Sequence, residues 1–369
     1  MKLLRVKAIA KKELIQILRD PLSLAMAFLM PVMLLFIFGY AITLDVNNLK
    51  TVVYDRDRSS LSRGLVERFS ASDYFTVIDH VSEPGAIDAY LDSGRAVLAL
   101  SVPGDFSRNV LTGKQAEFQV IVDGSDSNTA TIALGYVTAV TERYSRELPA
   151  STVVPLIETR VRAWYNAELE SRNYIVPGLI AVIMAVIAAL LTSLTIAREW
   201  ERGTMEQLIS TPVKTPELIT GKLVPYFFIG FIDVALSVLM AVFIFSVPLR
   251  GSVLLLAALS SLFLFGGLSL GILISIAAKS QLVASQVAMV VTFLPAFLLS
   301  GFMYTIANMP PPLQAVTYFI PARYFVTILK GIFLKGSTLP FLVTESLLLA
   351  VFGLGVFFLA NRKFKKRVA

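Results

Sequence analysis

Long runs of apolar residues separated by polar segments dominate the hydropathy pattern of this 369-residue chain. A helix needs about 20 predominantly apolar residues to cross a bilayer. Runs of that length predict six transmembrane helices, at about 22–44, 174–196, 223–247, 253–278, 282–304 and 339–360. We therefore expect a polytopic α-helical membrane protein.

The N-terminal segment 1–20 has the pattern of an amphipathic helix rather than of a span. Its apolar stripe recurs at helical spacing and consists of Leu3, Val6, Ala10, Leu14, Ile17 and Leu18. Most of its lysines and arginines lie off that stripe, as in a helix that lies in the membrane interface with its cations among the lipid headgroups. Asp20-Pro21 ends the helix, and Pro21 suits the first position of the next one.

Residues 45–173 are too polar to lie in a membrane, and strand and helix patterns alternate along their first part. Strands are predicted at 51–55, 74–78, 95–102 and 117–122, with helices between them at 59–70, 84–91 and 105–111. This alternation is typical of a small α/β domain, whose strand order the sequence leaves open. From residue 126 to about 172 the pattern is mainly helical and is predicted to lead the chain back to the membrane.

Composition and charge support a membrane protein and give it an orientation. The chain is 56% hydrophobic and 16% charged, with a mean hydropathy of +0.71, whereas soluble proteins carry about 45–50% apolar and about 25% charged residues. The net charge is +7; the segments 1–20, 197–222 and 361–369 together carry a basic excess, while 45–173 is net acidic. The positive-inside rule then predicts cytoplasmic termini, a basic cytoplasmic tail and an extracytoplasmic domain. The proline-broken segment 305–338 is predicted to form short outer-face or re-entrant helices.

The sequence lacks the residue types that several chemistries need. It has no cysteine and one histidine, His80, which excludes disulfides, cysteine-ligated metals and thiol nucleophiles and leaves almost no material for histidine-based sites. No phosphate-binding G-x-x-x-x-G-K-[ST] loop occurs, so any ATP that drives this protein must bind to another chain. We expect a non-catalytic chain that itself binds no cofactor or metal, and that faces a lipid membrane rather than nucleic acid.

The loop after the second predicted span is the most informative polar segment. Thr204 can cap a short helix there and Pro212 would end it, with Met205, Leu208 and Ile209 on one side of that helix. Two interpretations stay open on these residues alone. The segment is either an ordinary charged loop or an amphipathic rod shaped to dock a partner.

Several motifs resemble those of ABC-2 type transporter permeases. The family's cytoplasmic motif resembles Glu199-x-Glu201-x-Gly203-Thr204-x-Glu206-x-Leu208-x-x-Thr211-Pro212 and its continuation Glu217-Leu218-Ile219-x-Gly221-Lys222. The sequence before the family's first span is similar to Lys12-Glu13 and Arg19-Asp20-Pro21. The subgroup with a large domain between its first two spans resembles this chain at Val122-Asp123-Gly124-Ser125-Asp126-Ser127-Asn128-Thr129-Ala130, Trp164-Tyr165-Asn166-Ala167 and Val176-Pro177-Gly178. Ala167 stands where that subgroup usually has proline.

The resemblance implies a half-transporter in a bacterial inner membrane. Two such permease chains, identical or related, pair across a central pathway, and separate ABC ATP-binding subunits that hold ATP and Mg dock on the cytoplasmic side. The resemblance also implies export of a drug-like, hydrophobic or other small substrate, with a periplasmic adaptor in some members. Carried over to this sequence, the candidates for coupling to the ATPase are Glu199, Glu201, Gly203, Thr204, Glu206, Leu208, Thr211 and Pro212.

Two features of the predicted spans bear on function. Asp233 lies inside the third predicted span, where an ionisable residue either marks a functional polar site or pairs with a neighbouring polar group. Gly267 and Gly271 form a small-x-x-x-small step that indicates close helix packing. The alternative to a permease is a membrane-anchored sensor or assembly factor with a ligand-binding extracytoplasmic domain. Six spans and the long loop exceed what such an anchor needs.

Overall fold

The computed structural model describes the chain in four stretches, 2–41, 48–124, 127–148 and 170–364. The chain divides into two compact units, of which one comprises Met1–Thr43 and Ala163–Ala369 and the other Leu44–Arg162. The motif predicted at 164–167 and most of the basic tail lie outside the described residues.

The chain begins with helix α1 (Leu3–Leu18), which Asp20-Pro21 separates from the first apolar segment, as predicted. That segment is not one regular helix: it consists of α2 (Pro21–Leu24), a π-helical turn (Ala25–Leu29) and α3 (Met30–Ala41). Pro31 explains the interruption, because it has no N–H to donate to the carbonyl group one turn earlier, inside the π-helical turn.

The unit Leu44–Arg162 has the predicted alternation of strands and helices. Its elements are β1 (Leu49–Asp55), α4 (Ser60–Ser70), β2 (Phe75–His80), α5 (Gly85–Asp92), β3 (Leu98–Val102), α6 (Phe106–Leu111), β4 (Gln119–Val122) and α7 (Ser127–Glu147). Within the described residues the sheet has the order β2-β1-β3-β4, with β1 parallel to β2 and β3, and β4 antiparallel to β3.

Consecutive side chains of a strand point to opposite faces of its sheet. Both faces of this sheet carry apolar side chains, and helices cover each face. On one face Val53 of β1 packs in a cluster with Phe69 of α4 and Tyr144 of α7. On the other face Val52 packs in a cluster with Ile87 of α5. The Tyr144 hydroxyl donates a hydrogen bond of 2.7 Å to the carbonyl oxygen of Leu61, which ties α7 to α4.

The remaining helices belong to the other unit. They are α8 (Ser171–Glu201), α9 (Met205–Ser210), α10 (Thr215–Phe243), α11 (Val253–Ala278), α12 (Gln281–Leu299), α13 (Pro311–Thr317), α14 (Pro321–Lys330) and α15 (Val343–Lys363). Short 3-10 and π-helical turns at Ile306–Asn308, Gly331–Lys335 and Leu339–Leu342 complete the segment predicted to form short helices. Within the described residues, five helices are long and apolar enough to cross a membrane: α8, α10, α11, α12 and the helix that ends with α15.

Helix α8 is the centre of this unit. It contacts α3, α10, α11, α12 and α14, and 89% of its most apolar stretch is buried, compared with 22% for α12. The approach of α11 is close because a Cβ atom on Gly271 would lie 2.1 Å from Thr192 Oγ1. Thr192 Oγ1 in turn donates a hydrogen bond of 2.8 Å to the carbonyl oxygen of Leu268. The glycine step at 267 and 271 therefore packs helices, as its spacing indicates.

Candidate functional site

The predicted loop contains the predicted short helix. Helix α8 ends at Glu201, Gly203 turns the chain at φ +69°, and α9 runs from Met205 to Ser210, just before Pro212. A left-handed φ is strained for residues with a side chain, which explains a glycine at 203. Thr204 holds the N-cap position, but its side chain makes no capping hydrogen bond. Its hydroxyl donates instead to the Glu199 carboxylate, so the predicted side-chain cap is wrong.

Helix α9 presents an apolar side to the protein and a polar side to solvent. Met205 is buried, Leu208 and Ile209 are half-buried, and they line a small depression together with Phe364. Glu206 is exposed on the opposite side. The predicted amphipathic helix is therefore present, with Glu206 on its exposed side.

The N-terminal helix α1 packs along the first turns of α10. A Cβ atom on Gly221 would lie 2.7 Å from Ile9 Cβ, so the backbone of α10 almost touches α1 there. The buried side chains of α1 are Val6, Ile9, Glu13 and Ile17. Leu3, Leu14 and Leu18 of the predicted apolar stripe are exposed, which is where a helix that lies in the membrane interface needs the side chains that face lipid. The protein contact at α10, not the strongest apolar stripe, sets the buried face of α1.

A buried cluster of charges joins α1, α8 and α10. Lys222 is 1% exposed, and its Nζ lies 2.6 Å from Glu13 Oε1 and 3.3 Å from Glu199 Oε1. Glu199 also accepts a hydrogen bond from Lys12, whose side chain is half-exposed. We call these four residues, Lys12, Glu13, Glu199 and Lys222, the charge cluster. Since each buried carboxylate has a lysine partner, the arrangement avoids the high cost of an unpaired buried charge.

Further polar contacts fix the ends of the helices around the charge cluster. Glu217 accepts hydrogen bonds from the backbone N–H groups of Lys2, at 2.7 Å, and Lys214, at 2.9 Å. The Arg5 guanidinium lies 3.3 Å from Glu217 and also donates to the carbonyl oxygen of Pro212. The beginning of α1 and the chain before α10 are therefore held together.

Two more contacts join α8 to its neighbours at the same end. Arg198 and Asp20 form an ion pair of 3.2 Å, which ties α8 to the chain after α1. Glu201 accepts hydrogen bonds from the backbone N–H of Gln281, at 2.7 Å, and from the side-chain amide of Gln281. Because Gln281 begins α12, the Glu201 carboxylate satisfies a donor at a helix N-terminus, where negative charge is favourable.

The eight coupling candidates therefore fall into two groups. Glu199, Glu201 and Thr204 are held by the contacts described above, and Thr211 Oγ1 donates a hydrogen bond of 2.6 Å to the Leu208 carbonyl oxygen. Glu206, Gly203 and Pro212 are exposed, and Leu208 anchors α9. Glu201 is exposed as well, so the candidates accessible to a partner are Glu201, Gly203, Glu206 and Pro212.

Asp233 lies away from these residues, on a later turn of α10. Its side chain is completely buried, and neither carboxylate oxygen has a hydrogen-bond partner among the described residues. Those residues therefore do not provide the neighbouring polar group that would make Asp233 a paired structural residue. Ser260 on α11 is also buried with its hydroxyl unpartnered within the described structure.

Sequence reasoning treated Glu13 and Lys222 as motif residues and missed that they form a buried ion pair. Two signals were available in the sequence. Glu13 follows Val6 by seven residues and Ile9 by four, so it shares their helix face. Lys222 stands directly before an apolar run, where a lysine needs a partner.

The chain is similar to known transporter proteins. The family described as ABC-2 family transporter protein matches residues 22–361. The probable multidrug ABC transporter permease YbhS of Escherichia coli is 41% identical over 368 residues, which cover 97% of each chain. The probable multidrug ABC transporter permease YbhR of the same organism is 33% identical, over 91% of each chain. The inner membrane transport permease YhhJ is 28% identical, over 88% of this chain and 87% of its own.

These relatives are permeases over nearly their whole length, which does not favour a sensor or an assembly factor. The family also implies an ABC ATP-binding partner and a multi-pass location in a membrane. The chain belongs to the ABC-2 family of transporter permeases, as a membrane-spanning transport subunit of an ABC exporter.

Proposed function

We propose that this permease works in a bacterial inner membrane and that α9 is the element through which an ABC ATP-binding subunit drives it. ATP and Mg bind to that separate subunit, and this chain is not catalytic. In this proposal α1, α9 and both termini are cytoplasmic, and residues 45–173 form an extracytoplasmic domain inserted between the first two spans. The segment Pro21–Ala41 supplies a sixth crossing beside the five long apolar helices.

The observation that carries this proposal is the rigid attachment of an exposed helix to the central helix of the unit. Glu206 is exposed on α9, while Thr204, at the start of α9, donates to Glu199 inside the charge cluster. Lys222 connects Glu199 to α1 and α10. A displacement of α9 is therefore transmitted to α8, α1 and α10 together, which favours rigid-body switching between two discrete packings.

The substrate class follows from the relatives and from the spans. The names of YbhS and YbhR describe them as probable multidrug permeases. Spans with few charges suit a hydrophobic or amphipathic small molecule, and we propose a drug-like substrate for this chain. Its pathway forms between this chain and a second copy or a related permease, with a periplasmic adaptor as a further partner of residues 45–173.

The test is co-purification of the permease with the ABC ATP-binding subunit encoded by its host, in a mild detergent. Glu206→Lys reverses a charge on the exposed side of α9, and Glu117→Lys makes the same change at an exposed glutamate of the other unit. We expect Glu206→Lys to reduce the co-purifying, vanadate-sensitive ATPase activity at least about tenfold, in the range of a disrupted interface contact. Glu117→Lys keeps the activity of the unmodified chain.

Equal loss of the co-purifying ATPase activity in both variants, or no loss in either, would show that α9 does not contact the ATP-binding subunit. Size-exclusion profiles and thermal midpoints of the two variants show whether each one is folded. An absent ATPase under every detergent condition would contradict the proposal as a whole.

A further inference from the structure

A cavity of about 600 Å³ lies at the end of the helices opposite to α9. Tyr174 in the first turn of α8, Lys330 at the end of α14 and the turns that lead into α15 line it. All of its lining residues belong to the unit that contains the long apolar helices. The cavity is separate from α9 and the charge cluster, which lie where α8 ends.

The polar wall of this cavity is built around Lys330. Its Nζ donates a hydrogen bond of 3.0 Å to the carbonyl oxygen of Gly301 and lies 3.3 Å from the centre of the Tyr174 ring. The Tyr174 hydroxyl donates to the same carbonyl oxygen, at 3.2 Å. The Lys330 side chain has two N–H hydrogens as a neutral amine and three as an ammonium group, and the bond to Gly301 uses one of them. Lys330 is therefore held in place with donor capacity left for a ligand.

The other polar groups in the wall favour an anion. Ser337 and Thr338 contribute hydroxyl groups, Lys335 is a second cation at the exposed rim, and no acidic residue occurs among the described residues that line the cavity. Hydroxyls and lysines bind oxygen-rich anions such as phosphate. The wall thus has the chemistry of a phosphate site.

Apolar side chains continue from this wall to the exposed surface of the unit. Leu334 and Leu342 line the cavity, and Phe341 beside them is 80% exposed. Leu339 and Val343, on either side along the chain, are also exposed. A free phosphate ion would contact none of this surface, whereas a hydrocarbon chain would cover it.

We propose that this cavity binds a membrane phospholipid, with the headgroup phosphate on Lys330 and an acyl chain along Leu342 and Phe341. The lipid joins the ends of α8, α12 and α14, because Lys330 already bridges Tyr174 and Gly301. The inference does not depend on the substrate or on the ATPase. The lipid site lies at the end of the helices opposite to α9, which is the outer side in the orientation of the proposed function.

The experiment is native mass spectrometry of the full permease, delipidated in detergent and titrated with phosphatidylglycerol. Dioleoylglycerol, which lacks the phosphate, and inorganic phosphate are the comparison ligands. Lys330→Gln removes the charge and Lys330→Arg keeps it. Lys363→Gln is the control, because it makes the same substitution at the last residue of α15, away from the cavity. Ser337→Ala changes a residue of the cavity wall without altering the bonds of Lys330.

We expect the unmodified chain to retain phosphatidylglycerol in preference to dioleoylglycerol. Lys330→Gln weakens that binding about tenfold or more, the size of one lost charge-assisted hydrogen bond. Lys330→Arg and Lys363→Gln stay close to the unmodified chain, and Ser337→Ala binds more weakly than the unmodified chain. The thermal midpoint of each variant without lipid reports its folding.

Three results would overturn the proposal. Equal binding of dioleoylglycerol would show that the headgroup phosphate does not contribute to binding. Inorganic phosphate that binds as tightly as phosphatidylglycerol would indicate a site for a free anion. If Lys330→Gln fails to fold, unchanged lipid binding in Ser337→Ala would contradict the assigned site.

Discussion

Replacement of Lys222 by methionine is the sharpest test of the charge cluster. Methionine has nearly the length and shape of lysine but no charge, so the change removes the only lysine of the cluster that is buried. Glu13 and Glu199, whose side chains are 3% and 5% exposed, would then share the half-exposed Lys12. The variant leaves one excess negative charge in a buried environment.

The size of the effect follows from this burial. Removal of one partner from a buried ion pair costs about 3–5 kcal/mol, because the remaining charge is not solvated. A unit of about 150–250 residues loses about 2–4 °C of thermal midpoint per kcal/mol. We therefore expect Lys222→Met to lower the midpoint of the purified permease in detergent by about 6–20 °C.

Two matched variants make this expectation specific. Lys12→Gln removes a half-exposed cation and should cost less than about 1 kcal/mol. Glu13→Gln combined with Lys222→Met leaves Glu199 paired with Lys12, so the double variant should be more stable than Lys222→Met alone, with a coupling energy of about 0.5–3 kcal/mol. An unchanged midpoint for Lys222→Met, or additive effects in the double variant, would refute the reasoning.

The remaining predictions concern helix packing, Asp233 and the α/β unit. Gly271→Ala should destabilise the permease by about 1–3 kcal/mol, since its new methyl group meets α8, whereas Gly355→Ala, where no atom lies within 4 Å, should be neutral or stabilising in the same thermal assay. Asp233→Leu should raise the thermal midpoint, because it removes a buried carboxyl group without a described partner. A lower midpoint would show that Asp233 has a stabilising partner. Loss of transport in a stable variant would show that Asp233 is needed for transport. Tyr144→Phe removes the hydrogen bond to Leu61 and should cost about 1 kcal/mol in urea unfolding, and no change would show that this bond contributes nothing.

The periodic features of the fold could be predicted because they depend on local sequence. The apolar runs predicted the long helices, and the alternating strand and helix patterns predicted the strands of the α/β unit. The ends of helices were less predictable, since they depend on individual contacts. Helix α10 begins at Thr215, earlier than predicted, because the Glu217 side chain accepts the N–H of Lys214. Helix α12 ends at Leu299, before the turn at Gly301 with φ +80°.

The contacts of the site were less accessible to sequence reasoning because their partners are distant in the chain. Glu13 and Lys222 are 209 positions apart, and no local pattern connects them. The motif around Glu199 and Glu206 predicted a cytoplasmic docking element but did not separate its roles. In the structure Glu199 is buried among charges and Glu206 is exposed. The two glutamates differ in their burial in the folded chain and not in residue type, so their roles could not be separated from the sequence.

The most direct test of the central claim is site-specific crosslinking from α9 to the ABC ATP-binding subunit. The chain has no cysteine, so Glu206→Cys carries a unique label for a photoactivatable maleimide crosslinker, and Glu117→Cys is the control. We expect a covalent adduct between the 206 label and the ATP-binding subunit, with a yield that changes when vanadate traps the ATPase. Equal adducts from both positions, or none from position 206 in a complex that hydrolyses ATP, would contradict it.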